Sequence, residues 1–506
     1  MRTTRFLLTF LSREAYTILT LVMALWATPL LLHWLGDERF GAFQVATDWL
    51  GYLALLEFGL GGALAPLLAM AEARRDERAA QGLIVTGIRT YAKVAMMMAA
   101  ATILLAAVIT WLIPVAPAYA RDLRVAILVS LLGAIVTPLS PFRALAEARQ
   151  QGYWISIFLG VQSLVITIGS VAMAWAGWGI TGQAIAMVAG AVVFNLGLLF
   201  VTRGEVPEIA RAVVTAPPDD EARRDLRKLN LPTFTLQICG RLSLMTDNII
   251  VARFLSPSIV AVFFLTQRLA SVALVELQGI GNASWAALVE LSVQGRTESF
   301  NRRLVELTRT VSVLGFAVLV PIAAYNRAFI SLWVGSQRYG GDLLTILATG
   351  NALMLAVFSL WGWCINGTGG AQILTRAMVA QAIVNVACSI GSTLAFGLIG
   401  PMLGTTVSFL AVSAWFMPRA MADRFGTSPA QLLSAVGIPA LLAMPFGALT
   451  WWFSRTYGAT DWIGLACQMA TAAVTYLAFS WLLVFDRDER ADLLNRFRMA
   501  VRAVAV

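Results

Sequence analysis

Residues 31–69 read LLHWLGDERFGAFQVATDWLGYLALLEFGLGGALAPLLA, and this stretch decides the fold class. It begins at the end of one apolar run and crosses a short turn that carries Asp37, Glu38 and Arg39. It then continues into a second apolar run that extends to residue 70. An apolar run of about 20 residues is long enough to cross a bilayer as an α-helix. Two such runs joined by so short a turn predict a helical hairpin in a membrane.

The apolar composition extends through the whole chain. Of its 506 residues, 59% are hydrophobic and only 13% are charged, and the mean hydropathy is +0.76. A soluble domain carries about 25% charged residues. The sequence therefore predicts an all-α integral membrane protein with about 14 transmembrane helices. The predicted spans are 15–35, 42–70, 88–114, 123–143, 153–176, 178–201, 231–254, 259–288, 304–332, 342–365, 372–396, 398–420, 431–453 and 462–485.

The distribution of basic residues predicts the orientation of the chain. If the N-terminus is cytoplasmic, 28 of the 37 Lys and Arg residues fall at the inner ends of helices or in inner loops. Cytoplasmic loops are the ones that accumulate Lys and Arg. Both termini are therefore predicted to be cytoplasmic. The net charge of +9 is then a topology signal, and nucleic acid is not an expected partner. Seven tryptophans fall near the predicted outer interface: Trp34, Trp111, Trp175, Trp178, Trp333, Trp452 and Trp462.

A weak internal repeat divides the chain. Shifting the second half back by 220 residues aligns residues 35–43 with 255–263, and it places Gly59 on Gly279. Because six helices restore the original orientation, this would be a parallel repeat about an axis along the membrane normal. A chance alignment of two apolar hairpins is the alternative. The predicted domains are an N-terminal six-helix lobe at 1–202, a cytoplasmic linker at 203–230, a second six-helix lobe at 231–421, and helices 13–14 with a basic cytoplasmic tail at 422–506. Within the linker, residues 222–230 are expected to form a surface helix.

Two segments resemble the bacterial polysaccharide transporter family, the O-antigen and exopolysaccharide flippases of the MATE-like flippase superfamily. Residues 31–69 carry a Leu-Gly, an acidic residue, an aromatic-Gly pair and a glycine-rich end to the second helix, as that family does. Residues 247–270, DNIIVARFLSPSIVAVFFLTQRLA, look like its seventh-to-eighth helix hairpin. The resemblance implies the multidrug-and-toxin-extrusion (MATE)-like fold, with two six-helix lobes around a central cavity. It also implies a groove for a polyprenyl tail on helices 13 and 14.

The implied substrate is a polyprenyl-pyrophosphate-linked oligosaccharide of an O-antigen, capsule or exopolysaccharide pathway. The resemblance implies that alternating access carries it from the inner to the outer leaflet of the bacterial inner membrane. The implied partners are this substrate, membrane lipids, and the polymerase and glycosyltransferases of the same pathway. No cofactor is expected, although a proton gradient, a sodium gradient or the membrane potential could drive the transport.

Two arginines within predicted spans are the substrate-binding candidates. Arg268 lies near the middle of the eighth predicted span, and Arg241 lies about as deep in the seventh. A charge at mid-bilayer costs about 2.5–3.5 kcal/mol on insertion scales and therefore needs a partner or a wet cavity. Guanidinium groups hydrogen-bond phosphate oxygens well. A structural ion pair between packed helices is the alternative role.

Four acidic residues within spans are candidates for ion coupling or ion pairing: Asp48, Glu57, Asp247 and Glu276. On a straight helix, Asp48 and Glu57 would point to opposite sides, since nine residues at 100° amount to two and a half turns. Asp48 falls on Arg268 in the 220-residue alignment, which makes it the better cavity candidate. Glu276 would share a helix face with Arg268.

Rival functions remain open from the sequence. A multidrug or cation antiporter of the same fold should carry acidic and aromatic residues in its cavity, whereas the deepest charges here include two arginines. A membrane glycosyltransferase or polymerase would use Asp37 and Glu38, but such enzymes add a sizeable outer domain that is missing from this sequence. The chain is therefore expected not to be an enzyme. No metal site is expected, since His33 is the only histidine and the four cysteines lie far apart.

Overall fold

The computed structural model describes residues 2–217, 219–487 and 489–491. About 90% of the chain is helical, and the described residues contain no β-strand, which confirms the predicted all-α class. The first part of the chain forms α1 (Arg2–Leu53), α2 (Leu60–Arg74), α3 (Glu77–Leu112), α4 (Pro117–Ser130), α5 (Ser140–Ala148), α6 (Gly152–Trp175), α7 (Gly179–Val201), α8 (Val206–Thr215), α9 (Asp220–Leu244), α10 (Thr246–Phe254) and α11 (Pro257–Thr266). The second part forms α12 (Arg268–Val293), α13 (Thr297–Trp333), α14 (Asp342–Gly367), α15 (Ala371–Phe396), α16 (Gly400–Ser408), α17 (Ala414–Phe425), α18 (Pro429–Thr456) and α19 (Trp462–Leu483).

Eleven helical segments among the described residues are long and apolar enough to cross a membrane. Two of them, Leu11–Glu57 and Ala371–Phe425, are 47 and 55 residues long, so each can cross a bilayer twice. Backbone breaks at Gly36 and Gly397, both in positive-φ conformations, divide these two segments. The seventh predicted span, 231–254, is not among the eleven. It is divided between the end of α9 and the short helix α10. The predicted count of fourteen is consistent with this architecture.

The structure interrupts three predicted spans that the sequence analysis had treated as continuous. Helix α1 ends in a 3-10 turn at Ala54–Glu57, and the left-handed residues Phe58 and Gly59 separate it from α2. The seventh span breaks at Met245, between α9 and α10, and the eighth breaks at Gln267, between α11 and α12. Counting 100° per residue predicts which way a side chain points only on a continuous helix, so it does not apply across these breaks. The opposite orientation of Asp48 and Glu57 therefore does not follow from counting 100° per residue.

The chain forms two compact units, which meet in sequence at Ala261 and Val262. In the first unit, α6 packs along α1 and α7, and α2 packs against α3 and α5. One of its cores joins Leu60, Leu64 and Leu68 of α2 to Leu83 and Ile84 of α3. The predicted boundaries of the first lobe and of the linker, at residues 202 and 230, concern the division into two six-helix lobes, and they stay a prediction. The compact unit itself extends through the linker to residue 261.

The linker is more helical than the sequence suggested. It contains α8, and the predicted surface helix at 222–230 is the first part of the long helix α9, which runs on into the seventh span. Arg149, after α5, bridges Glu72 at 2.9 Å and also pairs with Glu205 beside α8. Side chains of α5 and α2 thus hold the start of the linker against the first unit.

Helix α13 is the centre of the second unit. It packs against α12, α14, α18 and α19. More than half of the most apolar window of α13 and of α14 is buried, against a third or less in the other candidate spans. Large apolar side chains elsewhere are exposed, such as Leu441 and Ile463. Apolar surface of this extent belongs in contact with lipid.

Six of the seven tryptophans that were assigned to an interfacial belt are exposed, as a belt requires: Trp34, Trp111, Trp175, Trp178, Trp452 and Trp462. Trp333 differs from the other six, because its side chain is buried and its ring packs against Phe329 with centroids 5.2 Å apart. Its depth in the membrane stays a prediction.

Candidate functional site

An acidic pair lies within the first unit, where α1 meets α10. Asn248 Nδ2 donates to Asp48 Oδ2 over 2.8 Å. Asp247 is buried, with 7% of its surface exposed, and the Asp48 charge acts on its carboxylate. Two buried oxygens here, Asp247 Oδ1 and Asn248 Oδ1, accept no hydrogen bond from the residues that the structure describes. Two nearby carboxylates and two unsatisfied acceptors form a site that would be stabilised by a proton or a cation.

Arg241 lies one turn before the break at Met245. Its Nη1 lies 3.3 Å from the Met245 sulfur, and its backbone carbonyl accepts from the Tyr52 hydroxyl at 3.3 Å. A Cβ atom built on Gly51 would stand only 3.0 Å from Arg241 Nη1, so this glycine leaves the room that the guanidinium occupies. Tyr52 also hydrogen-bonds Thr246 over 2.6 Å. Arg241 is thus held against α1 beside the acidic pair.

Glu57 has different neighbours from Asp48. It lies at the end of the 3-10 turn, and Gly61 separates its carboxylate from the hydroxyl of the buried Tyr91. Arg241 and Arg143 are the cations that act on it. The structure therefore brings Asp48, Asp247 and Arg241 into one neighbourhood.

Arg268 is the first residue of α12, directly after the break at Gln267. It is partly buried, and its guanidinium lies 5.7 Å from the centroid of the Phe264 ring, within cation–π range. Among the described residues, no carboxylate pairs with it. Glu276, eight residues later on α12, is exposed and stands about 12 Å further along the helix axis. The two side chains thus do not form the contact that a shared helix face would allow.

Sequence reasoning missed Asn248, Tyr52 and Thr246, which complete the polar cluster. Thr246, Asp247 and Asn248 are three consecutive polar residues inside an apolar run, and this signal was available in the sequence. Tyr52 carried no such signal. Its contribution depends on α9 and α10 packing against α1.

Glu38, an acidic residue of the first outer loop, has a structural role. Glu38 Oε1 accepts from the backbone N–H of Ala116 over 2.6 Å and so caps the start of α4. Arg39 stacks over the Tyr119 ring at 4.2 Å. A side chain that satisfies a helix N-terminus is not poised for acid–base chemistry on a sugar. This contact removes the feature that favoured a glycosyltransferase.

Comparison with known proteins identifies the family. Residues 11–286 match the family model described as polysaccharide biosynthesis protein, and this match covers more than half of the chain. The chain belongs to the polysaccharide biosynthesis protein family. A Bacillus subtilis (strain 168) protein named "Uncharacterized membrane protein EpsK" is 20% identical over 516 residues, which cover 99% of each chain.

Solved structures confirm the fold. A structure of the lipid II flippase MurJ in an inward closed conformation superposes with a TM-score of 0.69 at 13% identity, covering 95% of this chain and 98% of MurJ. An inward-facing multidrug resistance MATE family transporter of the MOP superfamily gives a TM-score of 0.63 at 16% identity, covering 80% and 98%. MurJ is named as a lipid II flippase and the MATE protein as a multidrug resistance transporter, and this chain shares their fold.

Proposed function

We propose that this family member is a flippase that moves a polyprenyl-pyrophosphate-linked oligosaccharide from the inner to the outer leaflet of the bacterial inner membrane by alternating access. Family membership supports the link to polysaccharide biosynthesis, and the fold shared with MurJ supports a lipid-linked substrate. The repeat unit of an O-antigen, capsule or exopolysaccharide is the class of sugar that fits this family.

The observation that carries the proposal is the environment of Arg268. This guanidinium stands at a helix break within an apolar span, with an aromatic ring as its neighbour and no carboxylate partner among the described residues. A cation at such depth is tolerated where water or an anionic ligand reaches it. Broken helices in transporters commonly mark the substrate site. The pyrophosphate of the carrier lipid is an anion that a guanidinium fork binds well.

The acidic pair supports coupling to a cation. Net transport of a lipid with a large polar headgroup from one leaflet to the other needs a driving force. Asp48 and Asp247 offer a buried acceptor site for a proton or a sodium ion. Arg241 acts on the Glu57 carboxylate, and both Arg241 and the acidic pair act on the Tyr52 hydroxyl. We therefore assign ion coupling to the first unit and pyrophosphate binding to Arg268.

A second candidate function deserves a direct comparison because of the same acidic pair. A multidrug or cation antiporter would use buried carboxylates to bind its cationic substrate, and the MATE transporters share this fold. The two functions differ in the sign of the transported group. Arg268 would repel a cationic drug and attract a pyrophosphate.

The test is a flipping assay in proteoliposomes. Purified protein is reconstituted with a fluorescent NBD-labelled undecaprenyl-pyrophosphate disaccharide, and the outward-facing fraction is measured by dithionite quenching. Replacing Arg268 with Ala should slow flipping about tenfold or more, because a charge-assisted phosphate contact is lost. Replacing it with Lys should keep partial activity, because the charge remains without the bidentate fork.

The matched control is Arg253→Ala, which removes another arginine that stacks on a ring, at 5.6 Å from Trp111. This variant should flip the lipid at the wild-type rate. Ethidium uptake is measured in the same vesicles. Transport of ethidium without movement of the labelled lipid would favour the antiporter, and normal flipping by Arg268→Ala would reject the assigned role of Arg268.

A further inference from the structure

A cleft of about 600 Å³ opens in the second unit, and none of the charged residues discussed above lines it. Its wall is apolar and includes Ile373 of α15 with Trp415 and Phe416 of α17. Ile373 and Trp415 are strongly exposed, at 47% and 63%. The volume lies within the range of about 300–1,000 Å³ that is usual for ligand sites.

A π-helical turn creates this cleft. Helix α16 lies tightly on α15, where Asn385 Nδ2 donates to Thr405 Oγ1 over 2.9 Å. The chain then passes through a π-turn at Phe409–Ser413, whose last residue donates to Gln381 of α15. Beyond this turn, α17 packs against α14 and α18. The two arms of the hairpin thus diverge after the π-turn, as such turns often do at functional sites.

The cleft lies at one membrane boundary of the hairpin. Residues 377–418 contain no charged side chain, and Arg376 and Arg419 are the first charges on either side. Because the arms of a hairpin run in opposite directions, both arginines stand at the same end of the membrane-spanning part. The apolar wall therefore adjoins the hydrocarbon, and the rim of the cleft lies at the level of lipid headgroups.

The rim of the cleft carries an excess of positive charge. Arg419 is exposed, lies 6.0 Å from the centroid of the Trp415 ring, and makes no ion pair with any residue that the structure describes. Arg424 is fixed differently, since its Nε donates to Thr368 Oγ1 over 2.8 Å and its Nη2 bonds the Thr368 carbonyl. With Asp423 as the one acid of the lining, the rim has a net charge of +1.

We propose that this cleft binds an anionic phospholipid of the phosphatidylglycerol class. Its phosphate would lie on Arg419, and one acyl chain would lie along Trp415, Phe416 and Ile373. Asp423 is placed to accept hydrogen bonds from the headgroup hydroxyls, which a choline headgroup cannot donate. Basic pockets between spanning helices are suited to anionic headgroups. This site is independent of the proposed flippase activity, since it needs neither the acidic pair nor Arg268.

The test uses lipids that carry a photoreactive diazirine on one acyl chain. The full-length protein is placed in nanodiscs with either labelled phosphatidylglycerol or labelled phosphatidylcholine, and cross-linked peptides are mapped by mass spectrometry. Phosphatidylglycerol should label residues 411–420 about fivefold more than phosphatidylcholine does. This ratio corresponds to the attraction of about 1 kcal/mol between one basic residue and an anionic lipid. Arg419→Gln should remove this preference, and Arg419→Lys should keep most of it.

Arg302→Gln is the matched control, because Arg302 is an exposed arginine of the same unit outside the cleft, near the start of α13. This variant should retain the preference. All variants are first compared with the wild type by elution volume and melting temperature. Equal labelling by the two lipids, or an unchanged preference in Arg419→Gln, would overturn the proposal. Displacement of the labelled lipid by free glycerol phosphate would also overturn it, since the site would then bind a headgroup alone.

Discussion

At the scale of single residues, three of the membrane-embedded charges lie at places where helices break. Glu57 ends a 3-10 turn, Asp247 follows the break at Met245 by two residues, and Arg268 follows the break at Gln267. A helix break exposes backbone groups that must be satisfied by side chains, water or a ligand. Charged residues and broken helices therefore support one another as markers of a transport site.

The acidic pair leads to a prediction at this scale. Asp48→Asn keeps an oxygen that can accept from Asn248 Nδ2 but removes one of the two negative charges. We expect flipping in the absence of a gradient to continue, while the stimulation by an imposed sodium or proton gradient, about fivefold or more if coupling is of the usual strength, is lost. The measurement is the flipping rate in proteoliposomes with and without each gradient.

Glu298→Gln is the control for the Asp48 variant, because it removes an exposed carboxylate near the start of α13. It should leave the response to both gradients intact. A normal gradient response in Asp48→Asn, with or without Asp247→Asn in addition, would show that the acidic pair does not couple transport to an ion.

At the scale of the elements, Arg89 joins α3 to the linker at 203–230. Its guanidinium donates to the backbone carbonyls of Val213 at 2.8 Å and Ala216 at 2.6 Å, at the end of α8. The last carbonyls of a helix have no partner within the helix, and a cation there also interacts favourably with the helix dipole. Arg89 is therefore a cap for α8, whereas inner arginines of this kind more often contact lipid headgroups.

Removing this cap should loosen the linker. In Arg89→Ala, we expect amide hydrogen exchange across residues 206–217 to become about tenfold faster, since several charge-assisted hydrogen bonds are lost together. Lys93→Ala is the matched control, because Lys93 is exposed one turn further along α3. Its exchange pattern should match the wild type. Unchanged protection of α8 in Arg89→Ala would contradict the capping role.

At the scale of the whole molecule, the prediction concerns the orientation in the membrane. The excess of basic residues on one side predicts that the linker and both termini lie in the cytoplasm. At Pro217, a reporter that is active only in the cytoplasm should give a signal, and a reporter that is active only in the periplasm should give none. A fusion after Arg498, which lies outside the described residues, should behave in the same way.

The control is a fusion in the loop that contains Gly458, which is predicted to lie on the other side of the membrane. There the periplasmic reporter should be active and the cytoplasmic reporter silent. A periplasmic signal at Pro217 would reverse the orientation. The relation of the two halves by a rotation about the membrane normal also stays a prediction, and a symmetry search in an experimental structure would test it.

The sequence alone determined the all-α membrane class and the family resemblance of this protein, and it located most of the apolar segments. Long apolar runs and a sided distribution of Arg are local properties, because a bilayer imposes the same length and charge rules on every segment. The charged residues within the predicted spans could also be recognised individually, because each one interrupts an apolar run. Arg268, Arg241, Asp48 and Asp247 were all visible as costly residues in apolar surroundings.

Only the tertiary structure decided which of these residues belong together. Asp48 and Asn248 are 200 positions apart in sequence, and the room for Arg241 depends on a glycine in another helix. The breaks after Glu57, at Met245 and at Gln267 free backbone N–H and C=O groups, which neighbouring elements must satisfy. The periodicity of the sequence therefore does not predict them. Partners are chosen by contacts between distant helices, and a pattern read along one helix cannot contain that information.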